Sequence, residues 1–226
     1  MPNRVRYLIE YRVCGKLRLE LRAIKSTINS TFPQIQDFDY KYDLPIFHIS
    51  LLPPLINQNK EFVLKSVKEA FKDSYIIGFK AGNYGFFDNP DRKPIFQRVE
   101  FEQDFIEARE RLIDKLESRK SLDWAFEKTE GFNPHVSLGF VDKKKDADEV
   151  IHFLNKNYLL DMQQILDRIT ILNGSKILWE YDIFNHKVLS RQQALRHRAR
   201  LDNIAKIINI KNKKGQSVNG TNINRT

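Results

Sequence analysis

The chain is poor in cysteine and in long hydrophobic runs, and both absences narrow its class. Cys14 is the single cysteine among 226 residues, so neither an internal disulfide nor a cysteine-based metal site can form. Such scarcity is typical of a reducing compartment. No stretch reaches the roughly 18 apolar residues that a membrane span needs, and Arg4, Arg6 and Glu10 interrupt the first apolar segment, unlike in a signal peptide. We therefore expect a cytoplasmic protein with no membrane partner.

Positive charge and aromatic rings are plentiful by contrast. The formal net charge is +9 and the pI is about 9.5. Hydrophobic residues make up 41% of the chain, with 16 Phe and 8 Tyr among them, so a large and ring-rich core can form. The excess charge attracts polyanions such as nucleic acid or an anionic membrane surface. The membrane surface is the weaker choice, because the C-terminal arginines are not paired with aromatic anchors.

Hydrophobic patterns typical of strands and helices alternate along the chain. Apolar residues alternate with mostly charged ones over 5–13, as in a half-buried strand, and then recur at helical spacing over 17–28. Further strands are predicted over 75–87 and 94–101, and a hairpin around Asn173-Gly174. The pattern favours an α+β fold in which two similar lobes carry mixed or antiparallel sheets.

Composition changes near the C-terminus and suggests three segments. Residues 1–189 form the bilobed domain, and residues 190–210 are predicted to form a basic amphipathic helix with Ser190 as its N-cap. Residues 211–226 are polar and rich in Asn, so we predict a disordered tail. The arginines of the helix either contact an RNA backbone or form a solvated charged face.

Two of the five histidines occur in the same short motif. The chain reads "PIFHISLLPP" around His48 and "NPHVSLGFV" around His135, and each histidine is followed two positions later by a serine, Ser50 or Ser137. Both segments have the apolar character of strands, and we predict that the first strand stops at Pro53-Pro54. Residues two apart on a strand share a face, so each motif presents an imidazole and a hydroxyl together.

Such a pair of motifs is suited to phosphate-ester chemistry if the two strands lie side by side. Histidine titrates near neutral pH, so one ring can act as a base while the other acts as an acid. The hydroxyls of Ser50 and Ser137 can bond the non-bridging phosphate oxygens, a role that fits the paired arrangement better than that of a nucleophile. The alternative is that both histidines are structural, as lone strand histidines usually are.

The two motifs resemble those of the 2H phosphoesterase superfamily, which includes 2′-5′ RNA ligase-like proteins and cyclic phosphodiesterases. The resemblance extends over about residues 4–189 and includes "GFFDNPDRKPIFQRVEF" between the motifs. It implies two pseudo-symmetric lobes with mostly antiparallel sheets around a central cleft, and chemistry that needs no metal or cofactor. It also implies that His48 and His135 are the catalytic acid–base pair and that Ser50 and Ser137 bind the substrate phosphate.

The chain departs from the family pattern after the second motif. Phe140 stands where many members have an arginine, so one phosphate ligand is missing. Lys143, Lys144 and Lys145 are candidates to compensate, or Phe140 could stack on a base. Arg98 either reaches a phosphate or pairs with a nearby carboxylate, and His152 is interpreted as a structural residue of a helix.

The resemblance implies a metal-independent phosphodiesterase that acts on RNA or oligonucleotides, with 2′,3′-cyclic phosphates as the leading substrate. Two alternatives stay open. The first is 2′-5′ linkage chemistry, either cleavage of 2′-5′ oligonucleotides or RNA ligation. The second is a non-catalytic protein that binds RNA ends.

Overall fold

The fold has two antiparallel sheets and several helices. The computed structural model describes residues 6–38, 46–56, 59–74, 77–117 and 131–194. The elements in chain order are β1 (Arg6–Arg12), α1 (Gly15–Thr31), β2 (His48–Ile56), α2 (Lys60–Ala70), β3 (Ile77–Phe86), β4 (Lys93–Phe101), α3 (Gln103–Glu117), β5 (His135–Val141), α4 (Lys144–Asn157), β6 (Met162–Leu166), β7 (Arg168–Asn173), β8 (Lys176–Asp182), β9 (Lys187–Ser190) and α5 (Arg191–Ala194).

Each sheet belongs to one lobe and carries one of the two motifs. The first sheet has the strand order β2-β1-β7-β8-β9 and the second has the order β5-β4-β3-β6. All the strand pairs are antiparallel. The predicted α+β fold with two lobes is therefore confirmed, and the two motif strands, β2 and β5, each lie at the edge of a sheet.

The patterns of the N-terminal segment explain its strand and helix. Tyr7, Ile9 and Tyr11 are buried on one face of β1, as period-2 alternation predicts. The buried residues of α1 recur every three or four positions along one stripe, namely Leu17, Leu21, Ile24, Lys25 and Ile28. Burial of this stripe holds α1 in place, since helix propensity alone rarely stabilises a helix of this length in water.

The lobes share one core because side chains reach from one lobe to the other. The ring of Tyr11 on β1 lies 5.5 Å from that of Phe79 on β3. Lys25 of α1 donates to the carbonyl of Leu138 on β5 at 2.6 Å. Arg109 of α3 donates to the carbonyl of Leu51 on β2 at 2.9 Å. These contacts fix the position of β2 relative to β5.

The prediction that the first motif strand stops at Pro53-Pro54 is wrong. β2 continues to Ile56, and Tyr7 of β1 pairs with Leu55 beyond both prolines. The register shifts between Tyr7 and Ile9, which leaves a bulge in β2 at this point. Proline lacks a backbone N–H, but an edge strand with a bulge tolerates it, because not every N–H has to reach a neighbouring strand.

The hairpin near residue 174 was predicted from the sequence, whereas two short strands were not. β6 and β9 were not predicted, since each is only a few residues long and carries little apolar alternation. β7 and β8 do flank Gly174, whose φ of 57° is in the left-handed region that a tight hairpin requires.

The C-terminal helix begins where its cap was predicted. The hydroxyl of Ser190 accepts from the backbone N–H of Gln193 at 3.5 Å, and the Gln193 side chain accepts from the backbone N–H of Ser190 at 2.9 Å. Arg168, which is buried in the first sheet, donates to the carbonyl of Ala194 at 3.2 Å. The remainder of the helix and the predicted tail, residues 195–226, lie outside the described residues. None of the helices in the described ranges is long and apolar enough to cross a membrane.

Candidate active site

The fold brings the two motif strands together. β2 and β5 contact each other across the boundary between the lobes. Ile49 and Val136, the central residues of the two motifs, are fully buried, so the imidazole and hydroxyl of each motif lie on the opposite face. His48, His135 and Ser137 are half-buried and Ser50 is exposed. The four side chains predicted to form the site are therefore reachable from solvent in one region.

Each imidazole is held by the same local hydrogen bond. Nδ1 of His48 lies 3.1 Å from the carbonyl oxygen of Ile46, and Nδ1 of His135 lies 2.8 Å from that of Asn133. A carbonyl oxygen can only accept, so Nδ1 carries the proton in both rings. The Nε2 atom of each ring is left to exchange a proton with a substrate, and the ring orientation is fixed from behind.

Aromatic rings surround His135. Its imidazole lies 5.0 Å from the ring of Phe87 and 5.1 Å from the ring of Phe96, measured between centroids. Burial lowers the pKa of His135, the bond to the Asn133 carbonyl opposes this effect, and a positive charge on His48 lowers the pKa further. The two imidazoles are thus close enough to interact electrostatically, and His135 is held toward its neutral form.

A buried carboxylate lies beside His48 instead. Glu10 of β1 is only 4% exposed, and its Oε2 lies 4.0 Å from Nε2 of His48. The other oxygen, Oε1, accepts from Nε of Arg12 at 3.1 Å. At 4.0 Å this contact is too long for a direct hydrogen bond, and it is an ion pair only when the imidazole carries a second proton. Glu10 was not predicted from the sequence to lie beside a motif histidine.

An arginine stands opposite each histidine on the neighbouring strand. Arg12 of β1 is the Cα partner of His48, and Arg98 of β4 is the Cα partner of His135. Gly85 of β3 leaves room for the ring of Phe96 beside this pair, because an added Cβ there would lie 3.2 Å from that ring. Arg98 is exposed, which keeps its predicted contact with a phosphate sterically available.

A cavity of about 300 Å³ opens beside His135. His135 and Ser50 form part of its wall, so it is continuous with the motif residues. The remaining lining residues are mostly apolar, namely Leu8, Leu51, Leu52, Pro53, Pro54, Phe87, Arg109, Gly131, Phe132 and Asn133. Arg109 was not anticipated from the sequence, because its place in the wall depends on how α3 packs against β2.

Phe140 is in contact with a cation that the sequence did not single out. The guanidinium of Arg92 lies 4.9 Å from the centre of the Phe140 ring, and the ring of Phe38 lies 5.3 Å from it. Lys144 donates instead to Asp88 at 3.1 Å, and Lys145 lies 3.9 Å from Glu149. Two of the three lysines proposed to compensate for the missing arginine are thus engaged with carboxylates, while Arg92 stacks on the ring itself.

The other histidines lie away from the motifs or outside the described residues. His152 is exposed on α4. His186 adopts a left-handed conformation with a φ of 52° in the turn before β9, and its Nδ1 lies 3.0 Å from the hydroxyl of Tyr181. His197 falls outside the described ranges. Neither of the two described histidines joins the site.

Two antiparallel sheets that each present an H-x-S edge strand at a shared site define a phosphoesterase of the two-histidine type. The family model of the 2′-5′ RNA ligase superfamily matches residues 16–176, which include both motifs. The chain therefore belongs to the 2′-5′ RNA ligase superfamily, the 2H phosphoesterases. Membership assigns it an activity on RNA of the phosphodiesterase or ligase type.

Solved structures with a similar fold have little sequence in common with this chain. TT0787 of Thermus thermophilus is 13% identical, with a TM-score of 0.54 over 79% of this chain and 98% of that chain. Usb1 of Kluyveromyces marxianus, solved with uridine monophosphate, is 11% identical, with a TM-score of 0.47 over 77% of this chain and 95% of that chain. No curated protein sequence gives a significant match. At this level of identity, the likeness to TT0787 concerns the fold alone.

Proposed function

We propose that the protein is a metal-independent phosphodiesterase that opens 2′,3′-cyclic phosphates at RNA ends. The observation that carries the proposal is the pair of imidazoles, which are tethered alike through Nδ1 but lie in opposite environments. A carboxylate accompanies His48, and aromatic rings enclose His135. Environments that separate the protonation of two neighbouring groups are a mark of an acid–base pair.

We assign the roles of base and acid from the surroundings of the two histidines. His135 is the general base, since burial keeps its ring neutral and its Nε2 can accept a proton from water. The activated water attacks phosphorus, and one bond between phosphorus and a ribose oxygen breaks. His48, the other ring of the pair, is the general acid, and its Nε2, which lies 4.0 Å from the Glu10 carboxylate, gives a proton to the departing oxygen. The ring is opened to a phosphomonoester, with no net change in protons on the pair of histidines taken together.

The two serines bind the phosphate in this scheme. Ser50 and Ser137 follow the histidines on the same strand faces, so their hydroxyls point toward the phosphate that lies between the rings. Each hydroxyl donates to a non-bridging oxygen, whose negative charge grows as water attacks. Arg12 and Arg98, opposite the two histidines, supply positive charge on both sides of the same phosphate.

The direct test uses an RNA that ends in a 2′,3′-cyclic phosphate, incubated with the protein in the presence of EDTA. We expect a phosphomonoester product, and a loss of about 10²–10⁴-fold in rate for His48→Ala and for His135→Ala. His152→Ala is the matched control, because this histidine is exposed on α4 and should leave the rate unchanged. Turnover that survives both motif variants would refute the proposal.

A second candidate is 2′-5′ linkage chemistry, which the family description itself favours. Ligation opens the same cyclic phosphate with the 5′-hydroxyl of a second RNA in the place of water: the hydroxyl gives its proton to the base, attacks phosphorus, and one bond between phosphorus and a ribose oxygen breaks. The same two histidines would therefore serve in the same roles. Incubation of the cyclic-phosphate RNA with a 5′-hydroxyl RNA separates the two activities. A joined product that depends on both histidines would favour the ligase, and RNA binding without any turnover would favour the non-catalytic alternative.

A further inference from the structure

Arg109 occupies an unusual position for an arginine. It comes from α3, is only 2% exposed, and its Nε donates to the carbonyl of Leu51 at 2.9 Å. Leu51 directly follows Ser50, so the guanidinium is fixed next to a predicted phosphate-binding residue. Arg109 also lines the cavity that opens beside His135. The arginine is thus part of a wall that begins at the motif residues.

The charge of Arg109 is not neutralised within the described part of the chain. No carboxylate in the described ranges forms an ion pair with it, and its buried Nη1 has no hydrogen-bond partner there. Burial lowers the pKa of Arg109 to about 10, while Glu110 acts in the opposite direction. The side chain is still a cation at neutral pH. A buried cation with an unsatisfied donor is costly, and an acceptor placed in the cavity would offset that cost.

The shape and chemistry of the cavity indicate a flat aromatic group rather than a second phosphate. The ring of Phe132 lies 3.8 Å from the guanidinium carbon of Arg109, and Phe87, Pro53 and Pro54 add further apolar wall. A phosphate needs several donors, whereas the described part of this wall, beyond the motif residues at its edge, offers only Arg109 and Asn133 among apolar surfaces. Apolar walls with a few polar groups suit a nucleobase, which the walls can stack against and the polar groups can orient.

We propose that the cavity binds the nucleobase of the nucleotide that carries the reactive phosphate, with a carbonyl oxygen of the base accepting from the Arg109 guanidinium. Ser50 and His135 belong both to the proposed catalytic site and to the cavity wall, which places the base beside the phosphate. The position of the phosphate in this inference rests on the proposed function. Arginine only donates, so a base with carbonyl groups, such as uracil, is the favoured occupant.

Calorimetric titration of three probes tests the cavity: uridine 3′-monophosphate, the corresponding base-free ribose phosphate, and uridine. In the unmodified protein, uridine 3′-monophosphate should bind about tenfold more tightly than the base-free compound, from stacking and one charge-assisted hydrogen bond. In Arg109→Met the two phosphates should bind within about twofold of each other. Binding of the base-free compound should be unchanged.

Arg111→Met is the matched control. Arg111 also lies on α3 and donates through Nε to a backbone carbonyl, that of Ala70 at 3.2 Å, but it is exposed and does not line the cavity. It should keep the tenfold preference. Phe132→Leu removes the ring but leaves the bond from Arg109 to Leu51, so it should reduce the preference even if Arg109→Met fails to fold.

Three outcomes would overturn the inference. The preference for the base could be absent from the unmodified protein, it could survive in both cavity variants, or Arg109→Met could weaken both phosphates alike, which would make Arg109 a phosphate ligand. Uridine separates this inference from the catalytic proposal, since it probes the cavity without a phosphate. If both histidine variants keep their turnover while uridine binding still depends on Arg109, the proposed function fails and the cavity assignment stands.

Discussion

The β1–β2 and β4–β5 halves of the site are built alike around their histidines but differ in the residue opposite the serine. In both halves an edge strand carries H-x-S, an arginine stands opposite the histidine, and Nδ1 bonds the carbonyl two residues before it. The residue opposite the serine differs: Glu10 pairs with Ser50, whereas Phe96 pairs with Ser137. One half therefore places a buried carboxylate beside its imidazole, and the other half places a ring.

This difference makes the surroundings of the two histidines unequal. Unequal surroundings suit the proposed mechanism, in which one ring takes a proton while the other gives one. Desolvation favours the neutral ring at His135, whereas a buried carboxylate lies 4.0 Å from the ring of His48. We therefore predict that the two similar halves of the site have different roles in the reaction.

The largest effects should come from the histidines, and the shape of the remaining pH profile should differ between them. Each alanine variant should lose about 10²–10⁴-fold in kcat/KM. In the unmodified protein kcat/KM should fall at acidic pH, where the base is protonated, and at alkaline pH, where the acid is deprotonated. The residual activity of His135→Ala should lack the acidic fall (the acidic limb), and that of His48→Ala should lack the alkaline fall (the alkaline limb). In the unmodified protein the acidic limb should lie below the ordinary histidine value of about 6.5, because burial lowers the pKa of His135. Measurement of kcat/KM from pH 5 to 9 for both variants tests this assignment. If His135→Ala lost the alkaline limb and His48→Ala the acidic one, the roles of acid and base would be exchanged.

Removal of the serine hydroxyls should produce the next largest effect. Ser50→Ala and Ser137→Ala should each lower kcat/KM by on the order of 10²-fold, as the loss of one donor to a developing oxyanion usually does. The effect should be greater at Ser137, which is half-buried, than at Ser50, which is exposed, since water can replace an exposed donor more readily. Ser50→Thr and Ser137→Thr are the controls, because they keep the hydroxyl. Threonine variants as slow as the alanine variants would argue against phosphate binding.

Exchange of the Glu10 carboxylate for an amide tests the difference between the halves directly. In Glu10→Gln the negative charge 4.0 Å from Nε2 of His48 is removed, while the shape of the side chain is kept. We expect a loss of about tenfold in kcat/KM, because the proposed proton donor would lose the carboxylate beside it. Glu100→Gln, a change of an exposed carboxylate on β4, is the matched control and should keep the unmodified rate. A Glu10→Gln variant as active as this control would show that the carboxylate plays no part in the reaction.

The motif chemistry was predictable because it depends on local rules. The strand period places His48 with Ser50 and His135 with Ser137 on one face of each strand, whatever the rest of the fold does. The division into lobes followed from the order of strand and helix patterns. These features required no knowledge of which residue lies opposite which.

Glu10 and Arg109 were not predictable, because their roles depend on register and packing between distant segments. Glu10 reaches Ser50 only in the register that β1 and β2 adopt beside the bulge near Pro53-Pro54, where the sequence predicted the strand to end. Arg109 reaches Leu51, which is 58 positions earlier in the chain, because α3 packs across the lobe boundary. Charged residues within amphipathic patterns give no local signal that they are buried.

The smallest expected effect is on stability, and it tests only the half of the site that contains His135 and its aromatic neighbours. Because the folded pKa of His135 is lowered, the unfolded chain binds the proton first as the pH falls from neutral. Stability from this group is therefore fully present above the ordinary value of about 6.5, declines below it, and levels off once the pH has passed the folded pKa. His135→Gln should remove this contribution and flatten the decline in Tm between pH 7 and 5 by on the order of 1–3 °C. Since His152 is exposed on α4, His152→Gln should leave the slope unchanged, and an identical slope in all three proteins would mean that Phe87 and Phe96 do not hold the ring neutral.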